Sequence, residues 1–123
     1  MNLGNFTDLD VWKQSRIFRN EMLDLTKNFP KEEKYTLTNQ LIRASRSITA
    51  NIAEGHGRFH YQENIQYCRI ARGSLSECYD HLICAYDCKY IDKDTLIKFK
   101  ENIDRIGQML NGYIRYLQKK KSE

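Results

Sequence analysis

Turn-forming residues are scarce in this sequence, which has one proline and six glycines in 123 residues. Few such positions argue against a sheet of many short strands and predict long helices. Apolar runs are also short, and none approaches the ~18 residues that a membrane-spanning helix needs. The N-terminal residues lack a basic stretch followed by an apolar one, so we predict no secretory signal peptide and a cytoplasmic protein.

The chain is short and carries little net charge. A chain of 123 residues can build one hydrophobic core, so we predict a single domain over residues 1–123 and exclude two-domain enzymes. The 20 Lys and Arg residues exceed the 16 Asp and Glu residues by four, a net charge of +4. This mild excess permits an anionic partner without requiring one.

Apolar residues recur at alternating intervals of three and four in four segments, which is typical of amphipathic helices. The predicted helices cover about residues 8–29, 31–54, 60–89 and 93–119. We expect Thr36 to cap the main part of the second helix and Gly55 to end it. Asp92 or Asp94 is expected to cap the fourth helix. Because the connections are short, the sequence predicts an all-α, antiparallel up-down-up-down four-helix bundle.

Several apolar residues lie outside the main apolar stripes of these helices. They are Ile42, Ile52, Tyr79, Ile83, Tyr86, Tyr90, Ile97 and Ile114. Additional apolar faces are typical of subunit contacts, so we predict a homo-oligomer. The alternative is a wide core stripe that buries part of this set within one chain.

One helical face carries the sharpest metal-site candidate, Glu77, His81, Cys84 and Cys88, at spacings of four, three and four. Thiolate and imidazole ligands suit zinc, but ligands along one helix cannot all converge on one ion. We therefore interpret the cysteines first as small core residues and predict no cofactor. Metal binding through His81, Cys84 or Cys88 is kept as a third hypothesis. Because all four cysteines lie in one predicted helix, we also expect free thiols, which fit a reducing cytosol.

Catalytic patterns are missing. The sequence has no Gly-x-Ser-x-Gly elbow, and Gly55-His56-Gly57 lacks the spacing of a phosphate-binding loop. Ser74 is expected to bond backward to a carbonyl of its own helix, and His56 and His60 to be solvated loop residues. We therefore predict that the protein is not an enzyme.

Arginines are arranged in three Arg-x-x-Arg pairs, which place two guanidinium groups on one helical face. These are Arg16 and Arg19, Arg43 and Arg46, and Arg69 and Arg72, with Arg58 at the turn after the second helix. Such pairs are candidates for binding nucleic-acid phosphates, and an oligomer would repeat them around its axis. The alternative is that they form salt bridges or ordinary solvated faces.

Four polar residues lie on or near the apolar stripes, namely Asn51, Glu54, Ser74 and Glu77. A buried carboxylate needs a partner, and either Arg43 or Arg46 could supply it. That pairing would make the arginine structural and would weaken the nucleic-acid interpretation.

The segment from Leu37 to Gly55 reads L-T-N-Q-L-I-R-A-S-R-S-I-T-A-N-I-A-E-G. It closely resembles the four-helix-bundle family encoded in intervening sequences of bacterial 23S rRNA genes, whose pattern is roughly L-T-x-Q-x-x-R-A-x-x-S-I-x-x-N-I-A-E-G. Three further pieces fit, and the resemblance spans nearly the whole chain. They are residues 9–12 (LDVW), 29–33 (FPKEE) and 70–77 (IARGSLSE).

The resemblance implies a four-helix bundle that assembles as a homopentamer and has no established enzymatic activity. This family is similar to the accessory variability determinant of diversity-generating retroelements, a basic pentamer that binds nucleic acid and a reverse transcriptase. That similarity implies rRNA or another nucleic acid, and a reverse-transcriptase-like protein, as partners. The residues matching the family pattern, with structural or functional roles left open, are Arg43, Asn51, Glu54, Ser74 and Glu77. A protein-interaction scaffold without a nucleic-acid role remains the alternative function.

Overall fold

A computed structural model describes residues 4–123, and this part of the chain is all-α, with four helices and no strand. The helices are α1 (Asp10–Thr26), α2 (Leu37–Gly57), α3 (Tyr61–Asp87) and α4 (Lys93–Ser122). Short 3-10 turns precede α1 and α2, at Phe6–Asp8 and Lys31–Glu33. No helix among the described residues is long and apolar enough to cross a membrane.

The start of α2 differs from the sequence prediction. The predicted helix begins near residue 31, whereas Lys31–Glu33 form a separate turn and α2 begins at Leu37. Thr36 is the N-cap residue of α2, as expected, but its side chain makes no capping hydrogen bond. Instead the Glu33 carboxylate accepts from the Leu37 backbone N–H at 3.3 Å and from the Thr36 hydroxyl. The turn thus places an acidic side chain at the positive end of α2.

Of two other predicted helix caps, one is confirmed and one is wrong. The predicted Asp92 cap of α4 is confirmed, since its carboxylate accepts from the Thr95 N–H at 2.8 Å. The predicted Gly55 cap is wrong, because α2 continues to Gly57. A Cβ at position 55 would lie 2.8 Å from both Asn64 Oδ1 and Tyr67 Cβ. Gly55 therefore permits a close approach between α2 and α3, as glycine does where a neighbour leaves no room for a side chain.

The hydrophobic core lies between the four helices. Helix α2 packs against α1 and α3, and α4 packs against the same two helices. The largest side chains in the centre are fully enclosed, among them Phe18, Met22, Leu41, Ile48 and Leu110. Ser15, which interrupts the apolar stripe of α1, is also enclosed and donates its hydroxyl to the Val11 carbonyl at 2.7 Å. Thr26, the other buried polar residue of α1, donates to the Leu23 carbonyl at 2.9 Å, so both hydroxyls are satisfied.

The additional apolar residues belong in part to the same core. Ile52 and Ile114 are buried, Ile42, Tyr79, Ile83 and Tyr90 are half-buried, and Tyr86 and Ile97 are exposed. Ile52 and Ile114 belong to the core and Tyr79 and Tyr90 pack against it, so a wide core stripe accounts for four of these eight residues. The large apolar side chains exposed on the described surface are Ile17, Leu23, Tyr35, Phe59, Ile70, Tyr86, Ile97 and Tyr116.

Candidate functional site

The seven candidate arginines lie on α1, α2 and α3 and in the turn after α2, and they differ in how their charge is used. Arg58, in the turn after α2, forms ion pairs and a hydrogen bond with residues close to it in the chain. Its guanidinium lies 3.0 Å from Glu54 and 3.5 Å from Glu63, and it donates to the Tyr67 hydroxyl at 2.7 Å. The hydrogen bond to Glu54 raises the pKa of Arg58. This arginine therefore ties the α2–α3 turn together.

Two other arginines connect neighbouring helices. Arg19 of α1 donates to the Thr49 hydroxyl of α2 at 3.2 Å. Arg72 of α3 donates to the Asn111 side chain of α4 at 2.8 Å. Both retain their charge, but each guanidinium has part of its hydrogen-bonding capacity used within the fold.

The remaining arginines make few contacts. Arg16 lies over the Trp12 ring, with its guanidinium carbon 5.8 Å from the ring centroid. Arg43, Arg46 and Arg69 are exposed, and none of their side chains forms a hydrogen bond or ion pair within residues 4–123. An exposed guanidinium without a partner has all of its N–H donors available for a phosphate or carboxylate. These three arginines are the ones that the fold leaves available.

Arg46 lies at the edge of a groove between α1 and α2, which we call the α1–α2 groove. Its volume is about 490 Å³, and its walls include Arg19 from one helix and Arg46 from the other. The lining also includes apolar residues such as Leu23, Ile42 and Ala50, and it contains no carboxylate. The groove is therefore apolar in its floor and positive at its rim.

Arg69 lies in a second groove, between the start of α3 and the end of α4, which we call the α3–α4 groove. Its volume is about 380 Å³, and its other lining residues are Gln62, Ile65, Gln118, Lys121 and Ser122. Two cations and three uncharged polar side chains against a single apolar residue suit an anionic ligand better than an apolar one.

Polar residues of the family pattern meet where α2 packs against α3. The Ser47 and Ser74 hydroxyls lie 2.9 Å apart and join the two helices. Asn51 donates to the Ser47 carbonyl at 2.8 Å and to its hydroxyl at 2.9 Å. The expectation that Ser74 bonds backward along its own helix is wrong, because Ser47 offers it a partner across the interface. Sequence reasoning did not single out Ser47, although it matches a fixed position of the family pattern and lies one helical turn before Asn51.

The two motif carboxylates are not buried. Glu54 and Glu77 are exposed, and they pair with Arg58 and with His81, the latter at 2.9 Å. The suggested pairing of a buried carboxylate with Arg43 or Arg46 is therefore wrong. Residues one turn away on the same helix satisfy these acids, since positions i and i+4 lie side by side.

The cysteines divide into two kinds. Cys68 and Cys78 are core residues, and burial raises the pKa of each thiol to about 12, so both stay neutral. Cys84 and Cys88 are exposed, so the core interpretation is wrong for them. Among residues 4–123, no three His, Cys, Asp or Glu side chains come together as a metal site. Desolvation, together with Cys88, also raises the pKa of Cys84, which disfavours the thiolate that a metal would need.

The turn between α2 and α3 contains the residue that sequence reasoning overlooked most clearly. Phe59 has a positive φ of 59° and is 62% exposed. His56, expected to be a solvated loop residue, is instead buried in the last turn of α2, with its ring centroid 6.5 Å from that of Phe59. His60 is exposed, as expected. A bulky residue in left-handed conformation has no simple signature in sequence, because the backbone angle depends on how α2 and α3 meet.

Comparisons with known proteins agree with this architecture. The family model described as 23S rRNA-intervening sequence protein matches residues 7–112. A crystal structure of a protein with unknown function from the S23 ribosomal protein family of Bacteroides thetaiotaomicron superposes with a TM-score of 0.77. It is 24% identical, and the match covers 85% of this chain and 97% of that one. At this identity the likeness concerns the fold alone. No curated protein matches the sequence.

Proposed function

The chain belongs to the 23S rRNA-intervening sequence protein family, and from this premise we propose a non-enzymatic, homo-oligomeric helical bundle that binds structured RNA such as rRNA. The observation that carries the proposal is the set of three exposed arginines that the fold leaves without partners, Arg43, Arg46 and Arg69. The family name supports a connection with rRNA genes, and the excess of positive charge supports an anionic ligand.

The proposed bundle has an up-down-up-down order of helices. In support of this order, Lys121 near the end of α4 donates to Gln62 near the start of α3. Further along α3, Arg72 donates to Asn111, which lies earlier in α4. Contacts that advance along one helix and recede along the next are typical of antiparallel neighbours.

We further propose that the oligomer is the pentamer that the family resemblance implies. Exposed apolar residues on three helices, Ile17, Ile70 and Ile97, support subunit contacts. Five chains at +4 each would carry +20, so assembly would turn a modest charge into a strong field. A reverse-transcriptase-like partner, implied only by similarity, would act on this assembled form.

The test is binding of 23S rRNA fragments over a range of salt concentrations. We expect micromolar or tighter affinity that falls steeply with salt, because phosphate contacts release counterions. Each phosphate contact removed is expected to lower the logarithmic salt slope by about 0.7–0.9. No binding at micromolar protein, or affinity that is flat against salt, would overturn the proposal.

A matched pair of variants sharpens that test. Arg69→Gln removes an unpartnered guanidinium, whereas Arg72→Gln removes the same charge three residues later on the same helix, where Asn111 occupies the side chain. We expect Arg69→Gln to weaken RNA binding more than Arg72→Gln. Equal losses would mean that net charge alone, and not the free arginines, drives association.

A second candidate function, a protein-interaction scaffold, is favoured by the α1–α2 groove. Its apolar floor and positive rim suit an acidic amphipathic helix of another protein. Replacing Ile42 by a polar residue would then weaken partner capture without changing the salt dependence of RNA binding. The reverse pattern, RNA binding lost and partner capture intact, would contradict the scaffold hypothesis.

A further inference from the structure

Phe59 combines a disfavoured backbone angle with an exposed aromatic ring. At φ of 59° a residue with a bulky side chain is strained, whereas glycine adopts this angle without strain. Such strain usually persists where burial of the side chain compensates it, yet 62% of Phe59 is exposed. The fold therefore does not explain why the turn between α2 and α3 carries a phenylalanine.

Phe59 lies close along the chain to the α3–α4 groove. Gln62, the first residue of that groove, follows Phe59 by three residues, a chain length of at most ~11 Å. The groove contains Arg69, which has no side-chain partner within residues 4–123, and Lys121. The acids of the turn share one cation, since Glu54 and Glu63 lie 3.0 Å and 3.5 Å from Arg58.

We propose that Phe59 is a stacking platform for an unpaired RNA base, with the adjoining backbone phosphates lying in the α3–α4 groove. The inference rests on the proposed function and specifies its ligand, a single-stranded loop, bulge or end. Aromatic rings beside a positively charged groove are the usual means of binding single strands. The bases of a continuous duplex are stacked inside it and cannot reach such a ring.

Other aromatic side chains are less suited to this role. The Trp12 ring is covered by the Arg16 guanidinium at 5.8 Å and by the edge of Phe6, whose centroid lies 5.2 Å away. Tyr35 is 80% exposed, but the Lys34 ammonium lies over its ring, 5.3 Å from the ring centroid. Tyr35 is therefore a matched control, an exposed aromatic residue whose ring already has a cation over it.

The experiment measures binding of a fluorescent single-stranded oligouridylate and of a blunt RNA duplex to the full chain. We expect Phe59→Gly to weaken single-strand binding about 5- to 100-fold, the range of losses for one stacked base. Duplex binding is expected to stay within twofold of the wild type, about the error of the assay. Phe59→Tyr is expected to restore single-strand affinity, and Tyr35→Ala to leave it unchanged.

Thermal unfolding and oligomer mass distinguish binding from a structural role. Because glycine accepts a positive φ, Phe59→Gly is expected to unfold at the same or a higher temperature than the wild type. A lower unfolding temperature, or a change in oligomer mass, would show that Phe59 serves packing or subunit contact and would overturn the inference. Unchanged single-strand affinity in Phe59→Gly would also overturn it, while salt-dependent wild-type binding would leave the proposed function standing. Failure of the wild type to bind any RNA would overturn both.

Discussion

Gly55 lies inside α2, where the backbone of that helix approaches α3, and its replacement by alanine tests the packing directly. The new Cβ would lie 2.8 Å from Tyr67 Cβ, 2.8 Å from Asn64 Oδ1 and 3.1 Å from the Asn64 carbonyl oxygen. Two of these three atoms are backbone or directly attached to it, so a side-chain rotation cannot remove the overlap. Helices α2 and α3 would have to move apart.

Two opposing effects determine the size of the change. Alanine favours the helix by about 1 kcal/mol relative to glycine. Inserting a methyl group into a filled interface costs typically ~1–3 kcal/mol, and the fixed neighbours here place the cost near the upper end. We therefore expect Gly55→Ala to lower the free energy of unfolding by about 1–2 kcal/mol.

Gly73→Ala is the matched control. Gly73 lies within α3 and is exposed, and a Cβ there would have no neighbouring atom within 4 Å. The gain in helix propensity is common to both variants, so Gly73→Ala is expected to raise stability by up to ~1 kcal/mol. The difference between the two variants, about 2–3 kcal/mol, then measures the interhelical overlap alone.

Urea unfolding followed by circular dichroism, at one protein concentration for all variants, measures these differences. A fixed concentration matters because assembly would add to the apparent stability. In thermal unfolding, at about 4 °C per kcal/mol for a chain of this size, the midpoint temperatures of the two variants should differ by about 8–12 °C. Equal stabilisation by both substitutions would refute the inferred close approach of α2 and α3.

Two further predictions concern polar contacts between elements. In a double-mutant cycle of Ser47→Ala and Ser74→Ala, we expect a coupling free energy of about 0.5–1.5 kcal/mol from their hydrogen bond, and additive effects would contradict that bond. Tyr90 donates to Glu33 at 2.8 Å, and this bond raises the pKa of Tyr90 to about 12. Because an unfolded tyrosine ionises near pH ~10, the contribution of Tyr90 is present below pH 10 and is lost as the pH rises towards 12. Wild-type stability should therefore fall more steeply than that of Tyr90→Phe over this range, and parallel titrations would contradict the assignment.

Features that depend on neighbours along the chain were predictable. The spacing of apolar residues indicated four helices, and Asp92 was one of two candidates for the cap of α4, because capping involves residues only a few positions apart. The motif Asn-Ile-Ala-Glu-Gly indicated the family, which the match over residues 7–112 confirms. Each of these signals depends on residues close together in the chain, so it can be recognised from the sequence alone.

Features that depend on contacts between helices were not predictable from the pattern alone. Cys78 and Cys84 both lie on α3, yet only the first is buried, because its side faces the neighbouring helices. Arg69 and Arg72 are equivalent in sequence, but only Arg72 donates a hydrogen bond to Asn111 of α4. The sequence predicts Gly55 as a helix cap, whereas the structure shows Asn64 and Tyr67 packed beside it.

By itself the sequence determined the helical class, the family and the excess of positive charge. Only the tertiary structure decided which arginines remain free, why residue 55 must be small, that Phe59 is exposed, and that Arg69 and Lys121 share a groove. The physical reason is that helical periodicity arises from bonds four residues apart, whereas these properties arise where chain segments distant in sequence come into contact.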